Sequence, residues 1–158
     1  MSRARKTTGV IALCGVVVAV ALIGSVTSAG AARESRMLLA RMSGGNEVPG
    51  PGDPEGHGIA RVTITGDRIC FHLTWNGIEA PVAAHIHVGG SDVAGDVVVP
   101  LFVGAIPAPI DEVGGCVTAD EELAQEIAAH PRHYYVNVHT EQFTAGAIRG
   151  KLFHPRES

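Results

Sequence analysis

Apolar and polar residues alternate in short runs along most of the chain, and Gly and Pro separate the runs. Ala60, Val62 and Ile64 alternate with Arg61, Thr63 and Thr65, and Gly66-Asp67 follows with the spacing of a two-residue hairpin turn. On the return run Ile69, Phe71, Leu73 and Trp75 share one face. Arg68, Cys70, His72 and Thr74 share the other, as the period of a half-buried strand requires. Residues 36–43 read as a first strand that ends at Gly44-Gly45, and further strands are expected over 83–88, 96–103, 114–117, 133–139 and 147–153. Residues 49–58 are too dense in Pro and Gly to pair as a central strand, so a loop is expected there. Short strands with turn signals at this spacing predict an all-β fold, a Greek-key β-sandwich or barrel.

One segment breaks the period. Thr118-Ala119-Asp120-Glu121 has the spacing of a capping box, and Leu123 and Ile127 stand one helical turn apart. Pro131 stops this short helix after His130, and the acidic first turn suits the positive end of the helix dipole. The helix is expected to be a crossover packed on the sandwich.

The N-terminus follows a different rule. Arg3, Arg5 and Lys6 precede twenty-six uncharged residues, apolar from Val10 to Ile23 and then small, with Ala29-Gly30-Ala31 at the end. A basic start, an apolar centre and an Ala-x-Ala site are the parts of a secretory signal peptide, here residues 1–31; an uncleaved anchor is the alternative. Without this segment the formal net charge moves from −4 to about −7, and no cluster of Lys and Arg remains for nucleic acid. The expected location is therefore secreted or cell envelope, with membrane contact only through the N-terminal segment if it stays attached. Export also changes the reading of cysteine. Cys14 lies inside the apolar centre, and Cys70 and Cys116 remain as an even pair. In an oxidising compartment they are expected to form a disulfide, with two buried free thiols as the alternative.

The candidate chemistry lies on strands. In the run 84–88 the two-residue period puts His85 and His87 on one face and Ile86 on the other. In the run 133–140, Tyr135, Asn137 and His139 share a face opposite Val136 and Val138. A polar face turned inward needs partners, because unpaired buried polar groups are costly. Three imidazoles from two strands could hold one copper or zinc ion and leave a position open, with Tyr135 and Asn137 supporting the ligands through hydrogen bonds. Alternatively His85, His87 and His139 bond to one another, to Glu47 or to backbone as a metal-free network.

Several motifs together carry a family resemblance. Gly44-Gly45-Asn46-Glu47-Val48-Pro49, Ala84-His85-Ile86-His87 with its Gly-rich loop, and Val97-Val98-Val99-Pro100-Leu101 occur in this order. The stretch from Tyr134 to Thr140 and then Gly146-Ala147-Ile148-Arg149-Gly150-Lys151-Leu152 complete the series. In this the chain resembles a CHRD (chordin-like) domain of the exported bacterial type. The resemblance implies a linker at 32–36, an all-β extracellular module over 37–154 and a tail at 155–158. It also implies a non-enzymatic binding or structural role, with an extracellular or envelope protein as partner. Gly50, Ala147 and Lys151 depart from the family pattern, which has Pro, Glu and Gln there. The His85-x-His87 strand, His139, and Gly146 to Arg149 also resemble copper–zinc superoxide dismutase. The bridging histidine and the zinc-loop cluster of that family have no counterpart, so a complete dismutase site is absent.

The remaining residues narrow the choice. Glu47 and Arg149 are candidates for a structural polar pair, buried or solvated. His57 reads as an exposed loop residue, and the carboxylates of the helix read as cap and solvated face. No Gly-x-Ser-x-Gly elbow, phosphate-binding loop or dinucleotide fingerprint occurs.

Overall fold

The computed structural model describes residues 33–155; residues 1–32, which include the expected signal peptide, and residues 156–158 lie outside it. Eight strands are formed among the described residues: β1 (Ser35–Ser43), β2 (His57–Thr65), β3 (Arg68–Asn76), β4 (Pro81–Val88), β5 (Val97–Val103), β6 (Glu112–Thr118), β7 (Tyr134–Thr140) and β8 (Ile148–Lys151). Their order in the sheet is β5-β4-β7-β8-β1-β2-β3-β6, and every pairing is antiparallel. The edge strands β5 and β6 meet across a seam, so the sheet curls into a nearly closed barrel. Read across that seam, β4, β5 and β6 are neighbours and β3 returns beside β6, which is a Greek key. The all-β expectation is met.

The apolar alternation decides which face turns in. Ile69, Phe71, Leu73 and Trp75 of β3 are all buried, as are Ala60, Val62 and Ile64 of β2. The β2–β3 hairpin turns at Gly66, whose φ of 61° suits a glycine. Pro100 is tolerated because β5 is an edge strand. On the outer face, Cys70 and Cys116 are directly opposite in the β3–β6 ladder and form the disulfide. It closes a loop of about 47 residues, worth roughly 4 kcal/mol in the chain-entropy model.

Three local expectations are corrected. The loop ends sooner than expected, because β2 already begins at His57, where the side chain is exposed. β1 begins at Ser35, one residue before the expected start of the first strand. The helix α1 (Glu121–Ala129) is capped by Asp120, whose Oδ1 accepts from Leu123 N–H at 3.1 Å, and not by Thr118. Thr118 is taken by the β6 ladder opposite Arg68, and Ala119 N–H is held by Asp67 O, so the cap passes to the next free carboxylate. α1 joins β6 to β7 as a crossover and buries Ala124 and Ile127 against the barrel.

Candidate metal centre

The polar faces of β4 and β7 point the opposite way from the inward orientation considered above. Ala84, Ile86, Val136 and Val138 fill the barrel core, so His85, His87, Tyr135, Asn137 and His139 stand on its outer surface. Loops, not the core, then cover this surface. The loop 89–96 is tied down by three side chains from three strands. His87 Nδ1 lies 2.8 Å from Gly95 O, Tyr135 Oη accepts from Gly95 N–H at 3.1 Å, and Arg149 of β8 donates to Val93 O and Ser91 O. Gly95 is required, because a Cβ there would overlap the Val88 carbonyl oxygen. The loop after β7 contributes Thr144 O, 2.9 Å from His139 Nδ1.

The ladder register brings the candidates together. His85 pairs with Asn137 and His87 with Tyr135, while His139 follows Asn137 on the same face of β7. The His87 ring stacks on Tyr135 with centroids 4.9 Å apart, and the Arg149 guanidinium carbon lies 4.3 Å from the centre of the Tyr135 ring. One ring nitrogen from each of His85, His87 and His139 lies within 4.8 Å of the other two. Three points so placed share a centre no more than about 2.8 Å from each, close to the roughly 2.0–2.1 Å of a zinc–imidazole bond. His85 Nδ1 and His139 Nε2 are already 3.1 Å apart.

Protonation also suits an ion. A carbonyl oxygen only accepts, so His87 and His139 each donate Nδ1–H to backbone and are left with a lone pair on Nε2. His87 Nε2 is buried without a hydrogen-bond partner. Burial lowers the His85 pKa to about 4, with His139 and His87 adding to the effect. Burial also lowers that of His139, against the raising effect of the Thr144 carbonyl. In His87 and His139 one ring nitrogen is thus fixed by backbone and the other is left with its lone pair, the arrangement in which imidazole binds metal.

Glu47 and Arg149 are both buried, but among the described residues no ion pair joins them. Arg149 is occupied by the 89–96 loop. Glu47 lies against Gly146, where φ is 145° and a Cβ would strike the carboxylate. Burial raises the Glu47 pKa to about 7, against the opposing Arg149 charge and the Val48 N–H. The sequence reading missed the two backbone acceptors, Gly95 O and Thr144 O. Carbonyl groups leave no mark in a side-chain pattern, and the one signal that could have found them is the Gly-rich composition of 89–96, which admits a close backbone approach.

Comparison with known proteins agrees with the motifs. The family model described as CHRD domain matches residues 38–152. No curated protein and no solved structure matches the chain, so the resemblance to copper–zinc superoxide dismutase finds no support there. With nearly all of the described barrel inside the match, the chain belongs to the CHRD domain family.

Proposed function

We propose that this CHRD domain is a binding module whose ligand is one zinc or copper ion, held outside the cytoplasm by His85, His87 and His139. Membership in the family supports a binding role in general, and the disulfide supports an oxidising location. The observation that carries the metal is His87, whose Nδ1–H is committed to Gly95 O while its buried Nε2 has no hydrogen-bond partner. A metal-free network should have satisfied that nitrogen, because a buried unpaired acceptor costs about 1–3 kcal/mol. A metal ion would use the lone pair. Bound there, zinc would act as a Lewis acid or a structural clamp, and copper could also change oxidation state.

His87→Ala should remove binding of Zn(II) and Cu(II) by the purified protein, measured by calorimetry. His130→Ala should leave binding intact, because the stacked His130–His133 pair lies elsewhere. Unchanged binding in His87→Ala, or loss of binding in His130→Ala alone, would place the ion elsewhere.

A further inference from the structure

The His139 side chain poses a second question. Its Nδ1 donates to Thr144 O, so in the neutral ring Nε2 carries a lone pair. That lone pair faces Asn137 Oδ1 at 3.1 Å as well as His85 Nδ1 at 3.1 Å. His85 can supply a proton to the contact. An amide oxygen cannot, since it only accepts. Two acceptors at this distance repel unless a cation lies between them. Ligand atoms around a tetrahedral ion with bonds of about 2.0–2.1 Å are themselves about 3.3–3.4 Å apart, close to the separation seen here.

From this contact we infer that Asn137 Oδ1 is a fourth ligand of the ion, completing a site of three imidazole nitrogens and one amide oxygen. The inference rests on the three-histidine reading and replaces the supporting role expected for Asn137 from the sequence. Asn137 is 2% exposed, stands directly opposite His85 in the ladder and is two residues from His139 on the same face of β7. All four donors are neutral, so the ion keeps its full charge in the site. The three imidazoles select zinc or copper, the amide oxygen is the weak fourth donor, and a carboxylate in its place would strengthen the site.

The rival arrangement has the amide reversed, with Nδ2–H donating to His139 Nε2. Asn137 would then compete with the ion for the lone pair, and the two arrangements predict opposite signs. Zn(II) affinities of the metal-free wild type, Asn137→Ala and Asn137→Asp, measured against a competing chelator, separate them. With Asn137 as ligand, Asn137→Ala weakens binding on the order of tenfold to a hundredfold, at least the loss seen when a ligand's supporting partner is removed. Asn137→Asp binds more tightly than wild type. Asn137→Ala at wild-type affinity or tighter overturns the inference while leaving the histidine site standing, provided that His87→Ala has lost binding. Wild-type protein that binds no Zn(II) overturns both. Circular dichroism of the metal-free variants checks folding. Co(II)-loaded wild type gives a further reading that needs no variant to fold. Its visible spectrum should not respond to azide if Asn137 fills the fourth position, and a clear azide shift would overturn the assignment.

Discussion

Glu47 shows how burial alone can set a residue's behaviour. Its pKa rises from 4.5 to about 7, so between those values the folded protein holds a proton that the unfolded chain releases. The stability from this group is present in full below pH 4.5 and is lost as the pH rises through about 7. The charged groups around it are Arg149, which opposes the shift, and Asp92 and Lys151, which line the same cavity of about 370 Å³. Glu47→Gln mimics the protonated form. Relative to wild type it should be more stabilising at about pH 8 than at about pH 5, as urea unfolding midpoints at the two values will show. An equal effect at both would mean that Glu47 does not titrate differently in the folded state. The sequence marked Glu47, Arg149 and the three histidines as worth attention, because strand period alone put the imidazoles on one face. It did not show that this face is the outer one. Nor did it show that Asn137 points its oxygen at His139, since an i, i+2 spacing gives a shared face and no atom-to-atom geometry.

At the level of elements, the strands were legible wherever alternation met a turn signal. The β2–β3 hairpin has the expected turn and faces, because Gly66 admits the positive φ and the apolar set has only one buried side to occupy. The start of β2 at His57 was hidden by the Gly and Pro before it, which suppress the pattern without preventing pairing to Asn76. The helix cap was misplaced for a tertiary reason: the sheet claims Thr118, which local spacing favours. Asp120→Ala should therefore destabilise the protein by about 1 kcal/mol, the usual cost of losing an N-cap, in thermal or urea unfolding. Thr118→Ala should cost less. The reverse order would restore the capping box read from the sequence.

For the molecule as a whole, the proposed metal site draws together membership in the CHRD domain family, a barrel stapled by one disulfide between β3 and β6, and a covered histidine group. An ion that binds only the folded state adds stability by mass action, about 2.7 kcal/mol at a hundredfold excess over Kd. Loading also bears on the 89–96 loop, because His87 grips that loop with one nitrogen and would grip the ion with the other. The most direct measurement is calorimetric titration of the metal-free protein with Zn(II) and with Cu(II), paired with the melting temperature before and after. Saturation at one ion per chain with a raised melting temperature is the expected result. No heat of binding and no change in melting with either metal would contradict the account.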